Sequence, residues 1–315
     1  MRLSAAQKIQ FGFGSLRNTE HVAEDARELE KLGFDIMGMP EHLMSGNPPN
    51  RTCLSIPVLA VAAGATEHIR LLSTVVLLPI YHPVVLAKMV ADLDLASKGR
   101  YIFGVGIGGE FKDEFRAAGI PVNQRGRRGD EILTIARRLW TEQNVTFKGK
   151  YYEVDDVTLD PPPFRKPHPA IWVGGRRDAA MRRTARFGTG WLPYLYSVER
   201  YKDSVVKIKQ YAAEEGRDLT DFEWAHHQQI FLADNLEEGY QKALASFRYS
   251  TTASVDELVR SYYVYGTPKD IIKGLERMVD AGARLINLLA GFSKEDNPMG
   301  QARILAKEVL PHFKN

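Results

Sequence analysis

The 315-residue sequence predicts a (β/α)8 TIM barrel with insertion segments, formed as one domain over residues 1–315. Two observations predict it. Short apolar runs alternate with amphipathic stretches almost throughout, as a parallel sheet with crossover helices requires. Eight of the runs read as strands, the number that closes such a barrel. A doubly wound open sheet is the structural alternative.

The first unit shows the pattern. Ile9–Phe13 reads as a strand, and Asn18 or Thr19 is placed to cap the next helix. Val22, Ala26, Leu29 and Leu32 recur at helical spacing, and Gly33 stands where a helix C′ residue belongs. Phe34–Met39 is strand two. Arg70–Leu77 is strand three, followed by a helix over Val84–Ser97. Tyr101–Val105 is strand four, with a helix over Asp130–Trp140. Ala170–Val173 and the helix Ala179–Phe187 make unit five. Trp191–Tyr194, Trp224–Ala233 and Leu285–Ala290 complete the eight strands, and a helix over Gly300–Phe313 closes the chain. Two segments fit no βα unit. Thr146–Lys166 reads as a small β excursion and a Pro-rich loop, and Phe247–Pro268 is irregular. Both are expected at a barrel mouth, where function concentrates.

Composition narrows the function classes. Apolar residues make up 44% and charged residues 26%, ordinary for a soluble globular chain. Cys53 is the single cysteine, which excludes an intrachain disulfide and a thiolate pair for a metal. The start MRLSAAQKIQFGFG lacks an apolar signal region, and no run reaches the ~18–20 residues that span a membrane. A cytoplasmic protein is expected. Net charge is +3 with the basic residues scattered, so a small anionic ligand is expected and nucleic acid is not. No metal site is expected. Histidine spacing does not suit zinc, and no Walker A loop or Ser-His-Asp order occurs.

Four segments carry candidate chemistry. In Trp172-Val173-Gly174-Gly175-Arg176-Arg177, a strand runs through two glycines into a helix start. Glycines admit close backbone approach, and first-turn amides have no helical partner, so the pattern suits an anion. Arginines there oppose the helix dipole by ~0.3–1 kcal/mol each, a sign that a bound phosphate reverses. The alternative is that both arginines face solvent and Gly174 only makes a turn. His42, in Pro40-Glu41-His42-Leu43 after strand two, is placed for proton transfer at the mouth. The alternative is a structural histidine, with Glu41 a surface carboxylate or salt-bridge partner. Gly104-Val105-Gly106-Ile107-Gly108-Gly109-Glu110 reads as a small loop that lets a planar ring lie close, with Glu110 at its rim, or as a tight βα turn. Its spacing is not the dinucleotide fingerprint. Ser73–Pro83 reads as a buried strand ended by proline. His226 and His227 are adjacent, so in a strand one faces the barrel and the other faces out.

Taken together and in order, FGFG, ELEKLGFDIMGMPEHL, STVVLLPIYHPVVLAKMVADLDLASKGRYIFGVGIGGE, RGRRGDEI, PHPAIWVGG and YGTPKDIIKGL resemble the bacterial-luciferase-like monooxygenase family over roughly residues 9–313. The resemblance implies FMN or the deazaflavin coenzyme F420 in the barrel mouth. It implies that His42 sits near the ring and that Gly174, Gly175 and Arg176 contact the phosphate. It implies a non-prolyl cis peptide at Thr74–Val75 or Val75–Val76, so that Thr74, Val75 and Val76 back the ring, while Gly106 and Gly108 leave it room. Two departures stand out. Luciferase has cysteine and arginine where this chain has Gly106 and Ile107, which argues against light emission. Many members carry Asp-Gly-Trp where this chain has Thr189-Gly190-Trp191.

The turn followed by Glu110 and the PEHL segment look more like the F420 branch. The leading expectation is therefore hydride transfer between F420 and an unidentified small organic substrate, with His42 and Glu110 in catalytic roles. The runner-up is an FMN-dependent monooxygenase using O2. A non-catalytic flavin-binding protein is third. A separate flavin or F420 reductase and a homodimer through outer helices are expected partners. Tyr81, Trp191 and Tyr194 are expected to offer aromatic walls to the substrate.

Overall fold

The computed structural model describes residues 8–14, 19–44, 52–247, 254–290 and 297–314. Eight parallel strands close on themselves. They are β1 (Gln10–Gly14), β2 (Ile36–Met39), β3 (Arg70–Ser73, resumed at Val76–Leu77), β4 (Tyr101–Gly106), β5 (Ala170–Gly174), β6 (Gly190–Leu192), β7 (Glu223–Leu232) and β8 (Leu285–Ala290). Each pairs with the next, and β8 pairs with β1 from Gln10↔Leu285 to Gly14↔Leu289. The closed barrel excludes the open-sheet alternative.

Alternation along the strands divides the core in two. Phe11, Phe13, Tyr101, Phe103, Val173, Ile286 and Leu288 face outward into the layer shared with the helices. Ile36, Leu72, Ile102, Ala170, Trp172, Leu192, Ala225 and Leu285 pack in a separate cluster inside the barrel. The N-terminal end of the barrel is sealed by charge. Arg70 bonds Glu223 through both guanidinium nitrogens at 2.6 and 2.8 Å, reaches Gln10 at 3.2 Å, and lies over the Trp172 ring. Trp172 Nε1 donates to the same Glu223 at 3.0 Å.

Several elements differ from their sequence reading. The first helix, Val22–Lys31, is entered through a 3-10 turn over Thr19–His21, so Thr19 is not its cap; Asn18 lies outside the described residues. Gly33 does take the C′ position, with φ of 82°. A helix over Ser55–Ala65 carries no polar residue after Ser55, so it shows no amphipathic stripe to read. The helix expected at Asp130 begins at Arg125. Further helices span Lys112–Ala117, Val198–Glu214 and Leu236–Ser246. Thr146–Lys166 holds the expected excursion, a hairpin of Val145–Lys148 and Glu153–Val157 whose turn donates three amides to Glu131. The segment read as irregular holds a helix, Val255–Tyr262, and a strand, Val264–Gly266, that pairs in parallel with the end of β7; residues 248–253 lie outside the description. The closing helix is two pieces, Pro298–Glu308 and Leu310–Lys314.

Candidate active site

The open end of the barrel is built first around a bulge in β3. Leu72 pairs with Ile102 and Val76 with Val105, so four steps along β3 answer three along β4 and one residue is extra. The Thr74–Val75 peptide is cis, one of the two bonds expected to be so. The glycines of β4 are explained by this bulge. A Cβ on residue 104 would lie 1.8 Å from the Ser73 carbonyl oxygen, and one on residue 106 would lie 2.5 Å from Val75 Cγ2. A Cβ on residue 174 would lie 3.2 Å from Val75 Cγ1, so Gly174 faces the same side chain. Gly106 therefore makes its room for Val75, and Val75 is the surface presented between β4 and β5. Gly108 has φ of 59° and packs against Phe115 and Leu77, so its smallness serves the turn.

A buried polar chain backs the bulge from outside the barrel. The Tyr101 hydroxyl lies 2.8 Å from Ser73 Oγ, which lies 2.9 Å from Ser55 Oγ. The Ser55 hydroxyl donates to Glu41 at 2.8 Å, and the amides of Ser55 and Leu77 donate to Glu41, each at 2.9 Å. Glu41 is buried, which corrects the surface-carboxylate reading. Its carboxylate ties the end of β2 to the far side of the bulge. Burial beside Glu41 also pushes the Cys53 thiol up to about 11. The Tyr81 hydroxyl is buried in the same region, so Tyr81 is no free wall of the mouth.

His42 follows β2 at the mouth. Its ring is one quarter exposed, and its Nδ1 lies 3.2 Å from Glu114 Oε2. The same oxygen accepts the Leu43 amide at 3.3 Å, and Phe111 meets the imidazole edge-on. Glu114 is fully buried in the short helix Lys112–Ala117, and its other oxygen has no partner among the described residues. Sequence reasoning missed Glu114. The only signal was a carboxylate within four residues of Glu110. With a partner fixed at Nδ1, the other ring nitrogen of His42 is left for chemistry.

Glu110 sits elsewhere, exposed at the rim. Its carboxylate bonds the Tyr194 hydroxyl, and the Arg176 guanidinium lies 4.6 Å from the centre of the Tyr194 ring. The loops after β4, β5 and β6 thus meet through Glu110, Arg176 and Tyr194. Trp191 does not join them. It is fully buried on the outer face of the barrel between Tyr196, Tyr201 and Trp224, which corrects its reading as a substrate wall. Thr189, in place of the common Asp, spends its hydroxyl on the backbone of Ile171.

The β5 turn has the form expected of an anion site. Gly174 ends the strand, and Gly175 has φ of 115° with Ala180 2.8 Å from any added Cβ. The helix Asp178–Phe187 begins at once, and no side chain caps its N-terminus. The Arg176 carbonyl is held by Tyr196 and Arg200, so its amide plane is fixed. Thr74 Oγ1, at the bulge, is buried without a partner among the described residues. Open amides at a helix start and an unpaired hydroxyl beside Val75 fit a ligand with an anionic tail and a polar-edged ring.

Inside the barrel, His227 faces the interior while His226 faces outward against Tyr201, as strand alternation requires. Burial lowers both, to about 3 for His226 and about 4 for His227. Among the described residues there is no group of three metal-ligating side chains, and no helix is long and apolar enough to cross a membrane.

A family model described as luciferase-like monooxygenase matches residues 4–255. The chain belongs to the luciferase-like monooxygenase family. Its relatives divide by cofactor. It is 31% identical over 194 residues to an FMNH2-dependent dimethylsulfone monooxygenase of Pseudomonas putida, covering 61% of this chain and 53% of that protein. It is 33% identical over 196 residues to an F420-dependent glucose-6-phosphate dehydrogenase of Microbacterium testaceum, covering 59% and 54%. The matches thus span about half the length of these two relatives. A glucose-6-phosphate dehydrogenase of the same cofactor from Intrasporangium calvum is 28% identical over 95% of each chain. Among solved structures, an F420-dependent secondary alcohol dehydrogenase shares the fold of this luciferase-like chain at a TM-score of 0.83 and 20% identity, covering 98% of this chain and all of that one. A flavin or deazaflavin is the cofactor class of these relatives.

Proposed function

We propose that this chain is an oxidoreductase that transfers hydride between coenzyme F420 and a small organic substrate at the barrel mouth. The observation that carries the reading is His42 held at Nδ1 by buried Glu114, one strand away from the Val75 shelf. Bound F420 would supply the hydride-carrying ring carbon. Val75, Gly174 and Thr74 would support the ring. Gly175, Arg176 and the amides of the following helix would hold the phosphate. His42 would present its free ring nitrogen to the substrate and move a proton, while Glu114 holds the imidazole in register. Glu110 and Tyr194 would close the rim rather than take part in proton transfer.

The second reading is an FMN-dependent monooxygenase that draws reduced flavin from a separate reductase. It is favoured by the 31% identity to the dimethylsulfone monooxygenase. Equilibrium titration of the purified protein with F420 and with FMN, in both redox states, tests the choice. Tight F420 binding and oxidation of reduced F420 without oxygen are expected. Preference for reduced FMN with oxygen consumption would select the second reading, and flavin binding that His42→Ala leaves without consequence would select a non-catalytic binding protein.

A homodimer belongs to the same reading. The helices Ser55–Ala65 and Pro83–Ala96 lie side by side and leave Val61 and Val85 more than half exposed. Val61→Asp with Val85→Asp should yield monomers in sedimentation; a chain that is already monomeric would refute the dimer.

A further inference from the structure

The side of the barrel opposite the bulge carries a polar pair that none of the roles above uses. We infer that His227 contacts the substrate and donates a hydrogen bond to an uncharged oxygen of it, a carbonyl or hydroxyl, with Asn287 as the positioning residue for His227. The inference rests on the reading that a cofactor ring occupies the β3–β5 side.

Register puts the pair on one level. Asn287 of β8 is the Cα partner of both Gly12 of β1 and His227 of β7. The Asn287 side chain is fully buried and wedged against two glycines. A Cβ on residue 12 would lie 2.4 Å from its Oδ1, and one on residue 38 would lie 2.7 Å away. Two strands have thus given up side chains to seat one amide. Its Nδ2 lies 2.9 Å from His227 Nδ1. With Nδ2 as donor, His227 Nδ1 is an acceptor, and a neutral ring then carries its proton on Nε2.

Nε2 has no partner among the described residues. Unlike Asn287, His227 keeps part of its surface accessible although it lies on the inner face of a closed barrel. An inward side chain reached by solvent lines the funnel beneath the mouth. β7 and β8 stand half a turn of the barrel from β3 and β4, so His227 lies on the wall opposite a ring seated on Val75. The strong lowering of His227 by burial keeps the donor uncharged at neutral pH. A neutral donor in a narrow funnel satisfies a carbonyl or hydroxyl oxygen. It gives a buried carboxylate or phosphate no compensating charge. The two histidines therefore have different work: His42 is tied to a carboxylate, His227 to an amide.

The test uses the full chain, without and with F420, and three small probes: acetone, 2-propanol and acetate. Nitrogen-15 NMR of the imidazoles should show His227 protonated on Nε2, and its Nε2 resonance should move with acetone and 2-propanol but not with acetate. His227→Phe should weaken acetone binding by about tenfold or more, the loss of roughly one hydrogen bond, with His227→Gln intermediate and F420 and FMN affinities within about twofold of the parent. Asn287→Ala should scramble the tautomer. A His227 resonance indifferent to acetone, a preference for acetate, or loss of cofactor binding in His227→Gln would overturn the inference. If acetone moves His227 but neither F420 nor FMN binds the parent, the cofactor reading fails and the His227 contact stands.

Discussion

Glu114 lies 72 residues beyond His42 in the chain and 3.2 Å from its Nδ1. The contact joins the end of β2 to the short helix after β4, and the same oxygen holds the Leu43 amide, so the carboxylate that meets the imidazole is itself anchored to the backbone next to His42. His42→Ala should lower turnover of reduced cofactor by about 10²–10⁴, the usual contribution of general acid–base work. Glu114→Gln keeps the shape but exchanges an oxygen acceptor, and about a tenfold fall in kcat with little change in KM is expected. Steady-state kinetics of both variants measure this. A fall of less than about tenfold in His42→Ala would demote it from catalysis.

The β4 glycines make a prediction that separates packing from ligand binding. Gly104→Ala drives a methyl into the Ser73 carbonyl, a backbone atom that cannot step aside. It should destabilise the fold by about 3 kcal/mol or more in urea denaturation. Gly106→Ala meets only the end of Val75, so it should cost about 1–3 kcal/mol while weakening cofactor binding by displacing the shelf. Gly33→Ala is the control. Its φ is positive but nothing lies within 4 Å, so a cost of about 1 kcal/mol is expected and binding should be unchanged.

The barrel floor predicts the converse, a stability effect without a binding effect. Arg70 and Glu223 are 21% and 31% exposed, so their pair is screened less than a surface pair but is not fully dry. Arg70→Ala leaves Glu223 with Trp172 as its remaining partner, and a loss of about 1–3 kcal/mol is expected after that partial exposure is allowed for. F420 and FMN titrations should match the parent, because the floor is at the end away from the mouth. Altered cofactor affinity would show that the floor and mouth are coupled.

The closed barrel was legible because period-2 apolar runs and period-3.6 stripes are local signals. The place of His42, Gly174, Gly175 and Arg176 at the barrel mouth was legible for a related reason: a strand end names the mouth without any knowledge of distant contacts. What the residues alone did not show depends on pairing between distant segments. A β-bulge leaves no composition signature, so the sequence alone gives no sign that Gly104 makes way for the Ser73 carbonyl and Gly106 for the Val75 side chain. Glu41 and Glu114 look like any other carboxylates in sequence, and only the fold reveals that both are buried against backbone amides. Trp191 was misplaced because a three-residue strand gives too short a run to phase inward from outward faces.

His226 and His227 make stability depend on pH, and the sign follows from their direction. Both are held neutral by burial, at about 3 and about 4, whereas an unfolded histidine titrates near ~6.5. Unfolding therefore takes up protons as pH falls below ~6.5, and the stabilisation that these two provide is fully present only above that value. Between roughly pH 6 and pH 4, each should contribute a loss approaching about 1.4 kcal/mol per pH unit. Urea denaturation at a series of pH values measures the slope. His226→Leu removes the outward histidine, which packs edge-on to Tyr201 and whose Nδ1 has no partner among the described residues, and it should reduce the slope by one histidine's share. A parent slope that stays flat from pH 7 to pH 4.5 would show that the fold does not hold the two imidazoles neutral.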